Sequence, residues 1–181
     1  MTHAAAAPAL EIASAQEADI PLILALINEL AEYEKLEHQV VATEAALRHA
    51  LFGPRPAAEA LIARIDGESA GFALYFHNFS TFLGKHGLYL EDLFVRPAFR
   101  GLSVGKALLV RLARLALERD CGRFEWAVLD WNSAARDFYE GLGAAANSAW
   151  VNYRITGEAL ERLARSGGPG QPESPRAEVS G

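Results

Sequence analysis

The sequence predicts a mixed α/β sandwich in which helices cover a central sheet, and three observations predict it. Strand-like and helix-like segments alternate along most of the chain. Asp66-Gly67 joins two apolar β-type runs, which is a strong short-range signal for a hairpin. A glycine-bearing loop at 100–106 connects an apolar strand to a helix striped with leucine. These patterns favour helices that pack on a sheet over an all-helical or all-β fold.

Each predicted element depends on a local pattern. Apolar residues at helical spacing, behind Asp19 as a cap and with Pro21 in the first turn, indicate the first helix. Short β-type apolar runs indicate strands, and glycine and proline mark ends. In order, we predict an apolar entry at 10–13, helices at 20–35 and 43–52, strands at 61–65, 70–76 and 88–95, a helix of about fifteen residues around 108–116, a strand at 124–129, a helix at 133–141, a strand at 150–155 and a helix at 157–165.

Length and composition predict one domain, which we place at 9–165, in a chain of 181 residues that is 51% hydrophobic. Residues 1–8 are expected to be a disordered leader, and 166–181 a disordered tail rich in Gly, Pro and Ser. The net charge of −6 disfavours nucleic-acid and anionic-membrane partners and suits a cationic substrate. The single cysteine, Cys121, indicates a reducing compartment, so we expect a cytoplasmic protein without a membrane span.

The loop from Arg100 to Lys106 carries the first chemical signal. The helix that follows it begins with unpaired backbone N–H groups and the positive end of its dipole, and glycines let an anion approach the backbone. A pyrophosphate is the expected guest. The G-x-G-x-x-G spacing of a Rossmann loop is absent, as is the G-K-S or G-K-T of a Walker loop. On its own, the loop is also compatible with an ordinary turn before a helix.

Two segments together resemble the GNAT acetyltransferase superfamily. The string Arg100-Gly101-Leu102-Ser103-Val104-Gly105 is similar to the family's Arg/Gln-x-x-Gly-x-Gly/Ala signature, with Ser103 where glycine is usual. The segment 128–144 resembles the later family motif of a strand, an Asn at its end and a helix that carries a Tyr. The resemblance implies the GNAT acyl-CoA N-acyltransferase fold, a central mixed, mostly antiparallel sheet flanked by helices, with acetyl-CoA as co-substrate.

Further strings narrow the resemblance, which covers about residues 10–165. Residues 31–36, 89–92 and 127–132 look like the diamine N-acetyltransferase branch, and more like its thialysine-acetylating type than its spermidine/spermine type. This implies a small-molecule amine substrate and a homodimer. The loop 144–149 lacks the acidic residues that this branch carries there, and Glu125 adds an acid that the polyamine enzyme does not have. We therefore expect a pocket for a shorter amine.

The resemblance assigns roles to matching positions. Tyr139 is the expected general acid, and Glu91 the expected proton acceptor, because strand alternation lets only one of Glu91 and Asp92 face the pocket and we favour Glu91. The expected coenzyme contacts are Leu93, Phe94, Val95, Arg100, Gly101, Leu102, Ser103, Val104, Gly105, Lys106, Asn132, Ala135 and Tyr139. The expected amine-site residues are Tyr33, Glu34, Glu91, Asp92, Glu125, Trp126 and Ala127.

The predicted reaction is direct attack of a primary amine on the thioester of acetyl-CoA in a ternary complex. Two alternatives remain open from the sequence. One is acetylation of proteins or peptides, which needs an open groove and is disfavoured by the acids Glu34, Glu91 and Glu125. The other is a non-catalytic acyl-CoA-binding regulatory module, which the presence of Tyr139 disfavours. The five histidines show no spacing typical of metal ligands, so we predict no metal.

Overall fold

The computed structural model describes residues 9–166, which fall into two compact units within Met1–Leu129 and Asp130–Gly181. The first unit holds a sheet and three α-helices, and the second holds two α-helices among its described residues. The predicted leader at 1–8 and all but the first residue of the predicted tail at 166–181 lie outside the described residues. The prediction of a single domain over 9–165 stays a prediction.

The sheet has five strands in the order in which the chain makes them. Neighbouring strands are antiparallel except for the last pair, which is parallel, and this confirms a mixed, mostly antiparallel sheet. The strands are β1 (Leu10–Ser14), β2 (Glu59–Ile65), β3 (Glu68–Ser80), β4 (Lys85–Val95) and β5 (Arg123–Trp126).

The turn between β2 and β3 is the predicted hairpin. Asp66 and Gly67 both have positive φ, 51° and 84°, which two-residue hairpin turns of this type require. The strands β3 and β4 both extend beyond the predicted ranges, because they continue as a long two-stranded ladder to the Ser80↔Lys85 pair.

Helices cover the two faces of the sheet. The helices of this unit are α1 (Ile20–Glu34), α2 (Glu44–Phe52) and α3 (Val104–Glu118). On one face, Ile20, Ile23 and Leu26 of α1 pack in a core with Phe72 and Phe94 of the sheet. Strand alternation turns buried Leu61 and Ala63 to the other face, where α3 contacts the strands through buried side chains such as Leu108 and Leu112. Burial of these apolar side chains on both faces holds the unit together.

A β-bulge interrupts β4. Leu74 of β3 pairs with Asp92, but the next residue, Tyr75, pairs with Leu90, so Glu91 is an extra residue without a cross-strand partner in this ladder. An extra residue shifts the alternation of side chains by one position. Asp92 therefore lies on the α1 side of the sheet, in phase with Phe94, two residues further on.

The second unit contains α4 (Ser133–Glu140) and α5 (Gly157–Arg165). The prediction of a strand at 150–155 is wrong, since these residues have no regular secondary structure. Val151 and Tyr153 are 73% and 95% exposed, so the apolar alternation that suggested a strand is not buried against a neighbour. The strand predicted at 124–129 ends earlier, at Trp126.

Candidate active site

The loop after β4 and the start of α3 form the predicted anion site. Gly101 and Ser103 have positive φ, 78° and 61°, and Ser103 is the residue before the first turn of α3. The first backbone hydrogen bond of that turn runs from Ala107 N to Ser103 O at 2.9 Å. The backbone N–H groups of Val104, Gly105 and Lys106 therefore have no hydrogen-bond acceptor within the helix and are available to an anion. The left-handed backbone at Ser103 is a conformation that glycine adopts with less strain.

The strand before this loop is open on one side. The parallel pairing of β4 with β5 ends at Leu90↔Trp126, whereas the pairing of β4 with β3 continues to Gly71↔Val95. Beyond Leu90, the edge of β4 that faces away from β3 has no strand beside it among residues 9–129. An open edge of this kind offers backbone N–H and C=O groups to an extended ligand. The predicted coenzyme residues Leu93, Phe94 and Val95 lie on this stretch.

Arg100 links this loop to α1. Its Nε donates a hydrogen bond to the carbonyl oxygen of Val95 at 3.1 Å, and its guanidinium lies over the ring of Tyr33, 4.7 Å from the centroid. A cation over an aromatic face is attracted by the negative potential of the ring. The structure thus brings a predicted coenzyme residue, Arg100, into contact with a predicted amine-site residue, Tyr33.

The remaining predicted coenzyme residues lie in the second unit. Asn132 is the cap of α4, and its Oδ1 accepts a hydrogen bond from the backbone N–H of Ala135 at 3.2 Å. That bond occupies one of the free N–H groups at the start of the helix. Tyr139 lies four residues after Ala135, hence on the same side of α4, and its ring is tilted against Phe138 with centroids 5.4 Å apart. The helix ends at a turn in which Gly143 has a φ of 91°.

Two acidic side chains line a pocket beside α1. Glu34, at the end of α1, and Asp92 face a cavity of about 160 Å³. Burial raises the pKa of Asp92 to about 6, and the negative charges of Glu91 and Glu34 add to that increase. Burial also raises the pKa of Glu34. The remaining lining is largely apolar and comes from α1 and the segment after it: Ile27, Leu30, Ala31, Leu36, Gln39 and Val40.

Asp92, and not Glu91, is the acid that lines this pocket. Glu91 is exposed and contributes nothing to the lining, whereas Asp92 is half-buried and lines the pocket. The preference for Glu91 requires regular alternation along β4, and the bulge at Glu91 breaks that alternation. Asp92 therefore takes the position facing this pocket that was predicted for Glu91.

Glu125 lies on the α1 side of the sheet but has partners of its own. Its Oε2 is 2.8 Å from Nε of Arg123 and accepts a hydrogen bond from Nδ2 of Asn78 at 3.1 Å. The side chains of Asn78 and Arg123 both extend over Gly87 of β4, where a Cβ atom would lie 2.2 Å from Asn78 Oδ1. Sequence reasoning missed Asn78 and Arg123. The signal that could have found them is that both pair with Gly87, and this pairing is visible only once the strand register is known.

Trp126 and Ala127 are not part of the surface that carries Glu125. Successive residues of a strand point to opposite faces, so Trp126 lies on the α3 side, together with Phe124, whose ring centroid is 4.9 Å away. Ala127 follows the end of β5 and is exposed. Because β5 alternates regularly, Trp126 and Glu125 face opposite sides of the sheet, and the predicted role of segment 125–127 in the amine site stays a prediction.

Within residues 9–166, no group of three His, Cys, Asp or Glu side chains is arranged to hold a metal ion. No helix in this described part of the chain is long and apolar enough to cross a membrane.

Comparison with known proteins gives a consistent answer. Residues 24–144 match the acetyltransferase (GNAT) family. The chain is 41% identical over 164 residues to the thialysine N-epsilon-acetyltransferase of Mus musculus, a match that covers 84% of this chain and 96% of the relative. It is 34% identical over 190 residues to the L-ornithine N5-acetyltransferase of Arabidopsis thaliana, covering 80% of this chain and 83% of the relative.

A solved structure, an integron cassette protein from the mobile metagenome of V. cholerae, has a TM-score of 0.74 and 27% identity and covers 87% of this chain and 98% of its own. The family match spans more than half of the chain, including both the loop before α3 and the helix α4. The chain belongs to the acetyltransferase (GNAT) family and is an acyltransferase enzyme.

Proposed function

We propose that the protein transfers the acetyl group of acetyl-CoA to a primary amine of a small diamine or lysine analogue. The observation that carries this proposal is the pocket lined by Glu34 and Asp92, two acids whose pKa values burial raises. Carboxylates in a partly apolar pocket are costly unless a cation neutralises them. A substrate ammonium is such a cation. The names of two relatives, a thialysine N-epsilon-acetyltransferase and an L-ornithine N5-acetyltransferase, each specify an amine substrate.

The chain's residues fit the coenzyme in two places. The positive-φ residues Gly101 and Ser103 and the N–H groups at the start of α3 suit the pyrophosphate, and the open edge of β4 at 91–95 suits the pantetheine arm. Acetyl-CoA, when bound, supplies an activated acetyl thioester. Lys106, exposed in the first turn of α3, adds a positive charge beside the phosphate site.

Proton removal is the main task of the amine pocket. An alkylamine with a pKa near ~10.4 is neutral in only about one molecule in 2,500 at pH 7, which corresponds to about 4.6 kcal/mol. Asp92 is the proton acceptor in this proposal because its pKa of about 6 is closer to that of the amine than an ordinary carboxyl pKa, while most of it is still ionised at pH 7. Glu34 holds the ammonium beside it.

Tyr139 is the general acid of the proposal. A phenol with an ordinary pKa near ~10 can protonate a thiolate leaving group whose thiol has a pKa of about 8.5. Its position one turn after Ala135 on α4 supports the role, since it follows the family motif at the start of that helix. Tyr139→Phe should lower kcat at least about tenfold with little change in acetyl-CoA affinity. Tyr153→Phe, at a residue that is 95% exposed, is the matched control.

The experiment that tests the function is release of free CoA thiol from acetyl-CoA in the presence of thialysine, lysine, ornithine, putrescine, spermidine and a lysine-containing peptide. We expect turnover with the small amines. Acetylation of the peptide alone would replace the proposal by protein acetylation. Binding of acetyl-CoA without turnover of any amine would replace it by a non-catalytic acyl-CoA-binding module.

The proposal includes a cytoplasmic homodimer. It is supported by resemblance to the diamine acetyltransferase branch and by a chain with one cysteine, Cys121. Sedimentation of the purified full-length chain tests the dimer: a mass of about twice the 19.6 kDa monomer is expected, and the monomer mass would contradict it.

A further inference from the structure

The cluster of Asn78, Arg123 and Glu125 carries charges of both signs on the same face of the sheet as the amine pocket. Asn78 faces the α1 side because it is in phase with Leu74, which packs against the α1 core. The pairing of Asn78, Gly87 and Arg123 across three strands puts all three residues in one row. Glu125 occupies the next row, beside Tyr89. The cluster therefore lies on β3 and β5 and flanks β4, the strand that carries Asp92.

The cluster is positioned but not internally satisfied. Arg123 contacts Glu125 through Nε, and no hydrogen bond from its two Nη nitrogens is present within residues 9–166. Asn78 Oδ1 and Arg123 Nε are buried and make no hydrogen bond in that part of the chain, so the Arg123–Glu125 contact is an ion pair without hydrogen-bond geometry. Buried polar atoms of this kind cost free energy, which a ligand that supplies the missing hydrogen-bond partner would recover.

The exposed part of the cluster presents complementary charges. The side chains of Arg123 and Glu125 are 36% and 34% exposed, so a ligand can reach both. A guanidinium edge is a fork that pairs with a carboxylate, and a carboxylate pairs with an ammonium. A group that carries both charges on one carbon is the head of an α-amino acid.

The spacing fits such a ligand. Tyr89, beside Glu125, and Asp92 are three residues apart on β4, or roughly 7–10 Å at about 3.3 Å per residue with a bulge between them. The terminal nitrogen of ornithine or lysine lies about 5–6 Å from its Cα when extended over four or five single bonds. A head group held by the side chains of Arg123 and Glu125 would direct the side-chain amine along β4 toward Asp92.

We propose that Arg123 and Glu125 bind the α-carboxylate and α-ammonium of an amino acid whose side-chain amine is acetylated, with Asn78 as a positioning residue for Glu125. This rests on the proposed function and specifies its substrate class. The substrate is then a free α-amino acid such as ornithine, lysine or thialysine, and not a polyamine, which has no carboxylate for Arg123.

The first test uses the wild-type enzyme and matched substrates. Ornithine and putrescine have the same spacing of nitrogens, but putrescine has no carboxylate. Lysine methyl ester keeps both amines of lysine but lacks the negative charge of the carboxylate. We expect kcat/KM for ornithine to exceed that for putrescine by at least about tenfold, and lysine to exceed its methyl ester similarly. Equal values within each pair would overturn the inference while leaving amine acetylation intact. No turnover of any amine would overturn the proposed function and this inference with it.

The second test uses variants. Arg123→Gln should reduce the ratio of kcat/KM for ornithine over putrescine at least about fivefold, through KM for ornithine rather than kcat, and Arg123→Lys should restore part of it. Arg111→Gln, on the exposed side of α3, is the matched control and should keep the wild-type ratio. An equal fall for both substrates in Arg123→Gln, with a lowered melting temperature, would show a purely structural cluster and overturn the inference.

Discussion

In the first unit, the proposed coenzyme side and the proposed amine side differ in the groups that they offer to a ligand. The coenzyme side consists largely of backbone: the positive-φ residues Gly101 and Ser103, the first turn of α3 and the open edge of β4. The amine side consists of charged side chains, with Glu34 and Asp92 in one pocket and Glu125 paired with Arg123 nearby. In our proposal these backbone groups bind the coenzyme, the constant part of the reaction. Side chains can change with the amine while the backbone frame is kept.

The amine side also differs from another acidic position in the same sheet. Glu59 is hydrogen-bonded by Arg119 and by Tyr75, and these contacts lower its pKa. The pKa of Asp92 is instead raised, because burial and neighbouring acids act on it. One acid has its cation within the chain, and the other has a pocket beside it. In our account the amine takes the place that Arg119 fills at Glu59.

The largest expected effect comes from removing the charge of Asp92. Asp92→Asn should lower kcat/KM for the preferred amine at least about 100-fold, because it removes both a proton acceptor and a charge that attracts the ammonium. Glu91→Gln, at the neighbouring exposed position, should lower it less than about tenfold. The measurement is steady-state CoA release over a range of amine concentrations. A larger loss in Glu91→Gln than in Asp92→Asn would restore Glu91 as the proton acceptor.

Asp92→Asn should lower activity but raise the free energy of unfolding at neutral and higher pH. Between the ordinary pKa near 3.8 and the folded value of about 6, the folded state binds more protons at Asp92 than the unfolded state does, so stability falls as the pH rises through this window. Above it, the buried charge costs up to about 3 kcal/mol, and Asp92→Asn should gain about 1–2 kcal/mol at pH 8 and little at pH 4. Urea unfolding at both pH values measures this.

Glu59→Gln is the control for that sign. Because the pKa of Glu59 is lowered, its contribution to stability is present above the ordinary carboxyl pKa and is lost as the pH falls through its lower folded pKa. The variant should lose about 1 kcal/mol at pH 8, a modest value since the ion pair is partly exposed. Destabilisation by both variants at pH 8 would show that the contrast between the two acids is wrong.

The contact between Arg100 and Tyr33 connects the two sides. Tyr33→Leu removes the ring under the guanidinium, at a cost of about 0.5–1 kcal/mol, whereas Tyr33→Phe keeps a ring face. We expect the Kd for CoA, measured by calorimetry without any amine, to rise about two- to fivefold in Tyr33→Leu and less than twofold in Tyr33→Phe. Equal affinities in all three proteins would mean that the two sides are independent.

The smallest effect is expected at Ser103, on the coenzyme side. Its φ of 61° is strained for a serine, so Ser103→Gly should preserve or slightly tighten CoA binding, with a change in Kd below about twofold. Ala107→Gly, inside the same helix, is a control for the general cost of glycine in α3. A marked loss of binding in Ser103→Gly would show that the hydroxyl contacts the coenzyme.

The sequence predicts local backbone features better than features that depend on strand register, for a physical reason. Glycine at positive φ, a hairpin at Asp66-Gly67 and a helix start are local properties that a few adjacent residues determine. The bulge at Glu91 depends on the pairing of two strands, and it moved Asp92, instead of Glu91, into the pocket. The Asn78–Arg123–Glu125 cluster depends on a register across three strands, which no local pattern reveals.

The failed strand at 150–155 shows the same limit. Its alternation of Val151, Tyr153 and Ile155 satisfies the local rule for a strand, but a strand also needs a neighbour that pairs with it. At Trp126 the alternation is regular, so adjacent residues of β5 face opposite sides of the sheet.

Asp92 is, in our proposal, the acid that receives the substrate amine, and the pKa of its carboxyl tests this most directly. Carboxyl-13C NMR of the full-length protein, saturated with CoA to prevent turnover, gives that pKa with and without ornithine. We predict a value near 6 in the absence of amine and a decrease of at least about one unit when the ammonium binds beside it. A pKa that starts at an ordinary value, or that does not change when ornithine is added, would contradict the claim.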